Sequence, residues 1–197
     1  MNTRLFTFSG GKTGDWRITQ IETIVGEPLP DAERLTIFAS SLVEGPEGTN
    51  WRLRGIRSNE RYITQPEKDQ LVAIQPKLNR PEATCAALIP IRKTADWWAL
   101  PQDERRRIFE ESSHHVKVGL MYLPAVARRL HHCRDLSENE PFDFLTWFEF
   151  APEHTPAFNE MVAILRATEE WAYVDRECDI RLVRDVEPSP DGVTISL

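Results

Sequence analysis

Residues 113–130, Ser-His-His-Val-Lys-Val-Gly-Leu-Met-Tyr-Leu-Pro-Ala-Val-Ala-Arg-Arg-Leu, constrain the chain more than any other stretch. Two adjacent histidines stand at its start and two adjacent arginines near its end. The segment between them is almost wholly apolar, broken only by Lys117, Gly119 and Pro124. Proline breaks a helix interior but suits a first turn, so Pro124 is expected to open a second helical segment carrying Val126, Ala127, Arg128 and Leu130. On that helix Arg129 would point about 100° away from Arg128.

The polar ends of the stretch suggest chemistry. Imidazole is a common ligand for iron, zinc and copper. Arginine is a permanent cation whose rigid fork of donors suits a small oxyanion. A ligand histidine and an arginine joined by an apolar segment fit a heme pocket, one on each side of the ring. A histidine pair is more often on the surface or hydrogen-bonded in a core, so the rest of the chain must decide. Cys85, Cys133 and Cys178 are far apart and form no C-x-x-C, which argues against a zinc or iron–sulfur site. No C-x-x-C-H occurs either, so any heme would be held non-covalently. The net charge of −7 argues against a nucleic-acid partner. No secretory leader and no run long enough to cross a membrane is visible, so a soluble, cytoplasmic protein with no membrane partner is expected.

Elsewhere the chain alternates strand and helix signals. Residues 4–9, 15–25, 35–42 and 51–56 read as strands. Helical spacing runs over 65–75, with Pro66 in the first turn and Pro76 as the stop. Residues 79–85 read as a connection between two halves. The apolar run 86–91 reads as a buried strand. A helix is expected from about 101 to 111, with Asp103 and Glu104 in its positive first turn. Residues 130–136 and 142–150 read as two strands of a hairpin around the polar spacer Ser-Glu-Asn-Glu-Pro. In the second strand, Phe142, Phe144, Thr146, Phe148 and Phe150 fall on one face and Asp143, Leu145, Trp147 and Glu149 on the other. Phe158, Met161, Val162 and Leu165 recur at helical spacing and predict a helix over 155–168. The last strand lies within 170–183, and 186–197 is expected to be a flexible tail.

The order β-α-β-β-α-β in the second half is the ferredoxin-like pattern. The expected fold is therefore α+β: two ferredoxin-like halves forming a barrel-like core with helices outside. The first half, 1–82, is a truncated copy, and 83–185 is the cofactor-binding half.

The motifs in order resemble the chlorite dismutase family of heme proteins, and within it the short, dimeric branch. Lys93-x-x-x-Trp97-Trp98 is similar to the family's propionate-side motif. His115 and Arg128, thirteen apart, match its axial histidine and distal arginine. Leu123 matches its distal leucine. Residues 143–149, Asp-Phe-Leu-Thr-Trp-Phe-Glu, resemble its distal-wall strand and supply Thr146 and Phe148. Glu170-Trp171 stands where the family places a glutamate behind the axial histidine. Arg61-Tyr62-Ile63 resembles its first-domain contact to the propionates. The similarity is dense over 86–183 and weaker before. The chain is shorter than the longer members, which favours a homodimer over larger rings.

The resemblance implies heme b held through His115 and a reaction that converts chlorite to chloride and molecular oxygen. In it, chlorite binds ferric iron and passes over one oxygen, leaving hypochlorite and a ferryl species that recombine. Arg128 would orient chlorite and other small anions and keep hypochlorite near the iron. Glu170 would make His115 more electron-rich. Two alternatives keep the heme and change the chemistry. Coproheme decarboxylases of the superfamily typically lack the distal arginine, and dye-decolourising peroxidases pair theirs with an aspartate not found adjacent here. A non-catalytic heme carrier or sensor would release no oxygen from chlorite. A cofactor-free ferredoxin-like monooxygenase or binding module would show no Soret band.

Overall fold

The computed structural model describes residues 4–39, 47–58 and 65–185. Arg61, Tyr62 and Ile63, and the tail 186–197, lie outside the described residues. Eight strands close into one antiparallel barrel: β1 (Leu5–Gly11), β2 (Trp16–Val25), β3 (Arg34–Ala39), β4 (Thr49–Arg57), β5 (Cys85–Lys93), β6 (Val126–His132), β7 (Phe144–Phe150) and β8 (Val174–Arg184). Around the barrel they run β1-β3-β2-β8-β5-β7-β6-β4. Each set of four consecutive strands is therefore laid down in the same spatial order: fourth, first, third, second. The second set carries helices in both crossovers, which is the α+β pattern expected of it.

In the first set, β1 and β2 are joined by four residues instead of a helix. The register explains how so short a link suffices. Gly10 and Trp16 both pair with Leu35, so β2 begins at the level where β1 stops. Gly14 carries the link across β3 with φ at +147°, where a side chain would collide with the Leu35 carbonyl.

Closure gives the sheet an inside. Phe8, Trp16, Leu35, Leu53, Leu88, Leu145, Trp147, Ile180 and Leu182 fill it, all nearly inaccessible to solvent. On the second set the outer face is buried too. There Ala87, Ile89, Phe148 and Phe150 pack against α5 (Thr155–Arg166) through Phe158, Met161, Val162 and Leu165. Both faces of β7 are thus covered, and its expected alternation sends Leu145 and Trp147 inward and Phe148 and Phe150 outward.

Three short helical pieces follow β5. Helix α2 (Ala95–Ala99) is capped by Thr94, whose hydroxyl accepts from the Trp97 N–H at 3.3 Å. Helix α3 (Gln102–Arg106) runs into a π-helical turn, Arg107–Ser112, in which the Ser113 N–H reaches back to the Ile108 carbonyl. Helix α4 (His115–Met121) begins at the second histidine, with His114 in the left-handed region at φ 52°. Helix α1 (Gln65–Ile74) lies between β4 and β5 and agrees with the helix read over 65–75.

The helical segment expected from Pro124 is not present. Residues 126–132 are β6, paired with β7 from Val126–Phe150 to His132–Phe144. The hairpin exists, with its first strand beginning four residues earlier than read. The physical reason is that β6 carries arginine and histidine on both faces, so no alternation of apolar and polar residues betrays it. On a strand, Arg128 and Arg129 point to opposite faces rather than about 100° apart.

Candidate functional site

Between the outer face of β5, β6 and β7 and the helices α4 and α5 lies a cavity of about 590 Å³. That size suits a cofactor or small molecule. The strands contribute Ile89, Ile91, Arg128, Leu130, Thr146 and Phe148, and the helices contribute His115, Met161, Val162 and Leu165.

One end of the cavity is built around a buried carboxylate. Glu170, in the 3-10 turn before β8, accepts a hydrogen bond from the Lys93 ammonium at 2.9 Å and sits 2.7 Å from His115 Nδ1. Its own N–H donates to the Ser113 hydroxyl at 3.0 Å, so two contacts fasten this turn to the start of the histidine stretch. Burial alone would raise the pKa of Glu170, but His115 and Lys93 beside it hold it down at about 2. Burial also lowers the Lys93 ammonium from its ordinary value, against the pull of Glu170. The Lys93 ammonium lies over the rings of Trp97 and Trp171, at 4.7 and 5.5 Å from their centroids.

An ionised carboxylate only accepts, so His115 Nδ1 donates in this pair and Nε2 is the nitrogen left for a metal. A ligand histidine is oriented in this way, through its other ring nitrogen on a carboxylate. The ring is also held flat. Phe109 stacks on it with centroids 4.5 Å apart at 22°, and Trp171 lies beyond it at 6.5 Å and 16°. His114 is exposed, hydrogen-bonded to the Glu110 carbonyl, and is not on the cavity wall.

Arg128 enters from β6. Its guanidinium is packed against Gly119 of α4, where any side chain would overlap it. Gly119 is therefore the seat that lets a cation lie against the helix. No carboxylate among the described residues pairs with it, and burial pushes its pKa down to about 10. It remains a cation at neutral pH.

The donor set can be tested against a porphyrin. Trp97 Nε1 and Arg105 Nε are buried on the cavity wall without a hydrogen-bond partner. A buried donor left unpaired is costly. Propionate groups, which are anionic and accept only, would satisfy both. Among the described residues no three His, Cys, Asp or Glu side chains gather to hold a bare ion. A metal held by a chelate with one protein ligand fits these residues.

Most of the expected site residues share this cavity: Lys93, Trp97, His115, Arg128, Thr146, Phe148 and Glu170 all line it. Two do not. Trp98 turns away, donates to Asp143 at 3.1 Å and stacks on Phe144. One residue along a helix turns the side chain by about 100°. Leu123 lies in the turn between α4 and β6 and is not on the wall. Sequence reasoning missed Arg105, Phe109, Trp171 and Glu177, all of which line the cavity. Trp171 could have been found, since it adjoins Glu170. Its indole N–H donates at 2.7 Å to Glu177, a fully buried acid that Arg166 also grips at 2.6 Å.

The chain is also similar to known proteins. A family model described as chlorite dismutase matches residues 38–186. A curated chlorite dismutase of Ideonella dechloratans is 31% identical over 103 residues, which is 52% of this chain and 33% of that protein. The matched region thus spans about a third of that relative's length. Among solved structures, the dimeric chlorite dismutase of Nitrobacter winogradskyi is 53% identical, with a TM-score of 0.82 over 91% of this chain and 99% of that one. The chlorite dismutase of Candidatus Nitrospira defluvii in complex with imidazole is 21% identical, with a TM-score of 0.65 over 93% and 92%, and shares the fold.

Proposed function

The chain belongs to the chlorite dismutase family, and from that premise we propose that it is a heme b enzyme converting chlorite to chloride and molecular oxygen. The observation that carries the reading is one apolar cavity holding both His115, proton fixed on Nδ1 by Glu170, and Arg128, a cation with no acid partner among the described residues. His115 would hold the iron through Nε2. Trp97 and Arg105 would take the propionates, which supplies their unpaired donors with acceptors. When bound, the heme supplies the redox chemistry that breaks and makes bonds to oxygen.

The chain's own residues do the rest. Glu170 stays ionised and keeps the imidazole electron-rich, which favours oxidised states of a bound metal. Arg128 offers two parallel donors to an oxyanion. Phe148, Ile89, Val162 and Leu165 line the same cavity with hydrocarbon, so its hold on chlorite, and on hypochlorite before it escapes, would be stronger than in water. The acids on the cavity wall, Glu170 and Glu177, are both already engaged by cations. An oxygen-forming reaction that moves no proton needs no further acid or base.

The same proposal includes a homodimer, supported by the dimeric relative from Nitrobacter winogradskyi. It also includes the cytoplasm, supported by three unpaired cysteines. No described helix is long and apolar enough to cross a membrane. The test is an oxygen electrode on the purified, heme-loaded protein. One O₂ per chlorite is expected. A protein that takes up no heme, or binds heme and releases no oxygen, overturns the reading.

A further inference from the structure

Four arginines line the cavity, Arg57, Arg105, Arg128 and Arg129, in a chain whose formal net charge is −7. Lys93 on the same wall is paired with Glu170, and Glu177 with Arg166. No such carboxylate contact is made to any of the four arginines among the described residues. Arg128 and Arg105 already have roles in the proposed site. Arg57 and Arg129 have none.

The register places these two together. Arg57, the last residue of β4, pairs with His131 of β6, and the next N–H, of Ser58, donates to the Leu130 carbonyl at 2.9 Å. Arg129 stands two residues before His131, so it shares the inward face with both. Diagonal neighbours on an antiparallel pair lie about 7–8 Å apart, within reach of long side chains. Arg129 extends over the Phe6 ring, with its guanidinium carbon 5.8 Å from the centroid. The two arginines thus stand at the barrel end where β4 stops, and the cavity reaches them round the edge of β6. Arg57 is exposed, and Arg129 and Arg128 are both half-buried, Arg128 against Gly119.

Like charges this close repel, and neighbouring groups register it. Arg129 is lowered from its ordinary value by burial and then by Arg57, with Glu149 pulling the other way. His131 is lowered by burial first and by both arginines after that. A small anion between the two guanidinium groups removes this repulsion.

We infer that Arg57 and Arg129 form an outer anion site at the mouth of the cavity, which takes a small monovalent oxyanion or halide before or after it meets Arg128. The inference rests on the chlorite reading for the identity of the anion, and on the arginine pair for the site. It predicts capture by a steered, stepwise approach, which long-range charge makes faster and salt makes slower.

The experiment uses heme-loaded Arg57→Gln and Arg129→Gln proteins. Soret absorbance per chain is expected to match the parent. Turnover at saturating chlorite should stay within about twofold, while KM rises about tenfold at low ionic strength, the cost of losing one charge-assisted contact. Parent and variants should converge near 1 M salt, where screening acts over about 3 Å. Arg129→Lys should recover most of the parent KM. Independently of turnover, ³⁵Cl⁻ line broadening by the parent should fall by about half in either Gln variant. A parent-like KM and salt slope in both variants overturns the site. Loss of heme in either variant also overturns it, since the pair would then hold the propionates. If the parent releases no oxygen from chlorite, the functional reading falls, and the chloride measurement alone decides the anion site.

Discussion

The two faces of the β6–β7 hairpin hold similar polar groups and use them in opposite ways. Inward point Arg129, His131 and Glu149, and outward point Arg128 and Thr146. Six other strands close the inner face into a filled core. His131 there is 1% exposed, its ring 5.1 Å from those of both Phe6 and Phe8. Its Nδ1 meets the Leu145 carbonyl at 3.2 Å and its Nε2 has no partner. The outer face is closed by helices, and helices leave gaps where a sheet does not. There the cation lies in a cavity and can meet a ligand. Closure by strands turns the deeply buried His131 into a constraint on protonation, while closure by helices leaves Arg128 available for chemistry.

The largest expected effect tests the outer face. His115→Ala should lose bound heme, read as Soret absorbance per chain, whereas His114→Ala should keep it. Only His115 is on the cavity wall with its Nδ1 proton fixed. If the two variants exchange these phenotypes, the outer face has been assigned from the wrong residue.

The next effect belongs to the inner face and appears in stability. Burial, foremost, depresses the His131 pKa to about 4, with Arg129 and Arg57 adding to it. The unfolded chain, with a histidine near 6.5, therefore binds the proton first. Stability is complete above pH 6.5, falls as pH drops through the window, and the loss is full near pH 4. The magnitude is about 3 kcal/mol at most. Glu170 acts in a lower window. Its folded value near 2 lies below that of the free carboxyl, so its contribution is present above about 4.5 and lost toward 2. Urea unfolding at pH 7, 4.5 and 3 separates the two windows. His131→Gln should flatten the upper one and leave the lower. An unchanged slope between pH 6.5 and 4 would sink the account of the inner face.

Much of this contrast was legible in the sequence. The period-two pattern of β7 and the helical spacing of Phe158, Met161, Val162 and Leu165 located the strand and helix that frame the cavity. The ordered motifs located Lys93, Trp97, His115, Arg128 and Glu170. Their contacts were not readable from spacing, because His115 and Glu170 meet across 55 residues. The strand identity of β6 was hidden because arginine and histidine stand on both of its faces. The π-helical turn was hidden for another reason. It depends on one extra residue in a helix, Ser113 bonding to Ile108, and no residue type signals that. The turn carries Phe109, and so the residue resting on the imidazole went unnoticed.

A smaller effect tests whether the outer-face cation acts on the ligand or merely packs. Arg128→Ala should keep the heme spectrum, since His115 would hold the iron from α4. Chlorite turnover should fall about ten- to a hundred-fold, the loss of a charge-assisted bond worth roughly 1.5–3 kcal/mol. A hypochlorite trap should collect more oxidant than from the parent. Gly119→Val should approach the same phenotype with the arginine still present, because the side chain would take the space the guanidinium occupies. If Arg128→Ala turns over chlorite like the parent, the cation on the outer face is structural, and the contrast between the faces loses its functional half.

The smallest effect concerns how rigidly the outer face holds its ligand residue. His115 is fixed at Nδ1 by Glu170, and a single hydrogen bond leaves the ring free to rotate about it. Phe109, 4.5 Å away and nearly parallel, removes that freedom on one side. Trp171 lies on the same stack at 6.5 Å and is itself tied to Glu177. A stacked pair is worth about 0.5–1.5 kcal/mol. Phe109→Leu keeps the apolar volume and loses the flat surface. Heme should therefore stay bound, and chlorite turnover should change by less than about threefold. The g-values of the low-spin cyanide adduct should nevertheless shift and broaden, because they report the plane of an imidazole bound to the iron. Trp171→Phe, which keeps a ring but loses the bond to Glu177, should broaden them less. Loss of heme from Phe109→Leu would make the π-helical turn part of the ligand's anchor. Unchanged g-values would mean that Glu170 alone sets the ring, and that the outer face orients its histidine without the stack.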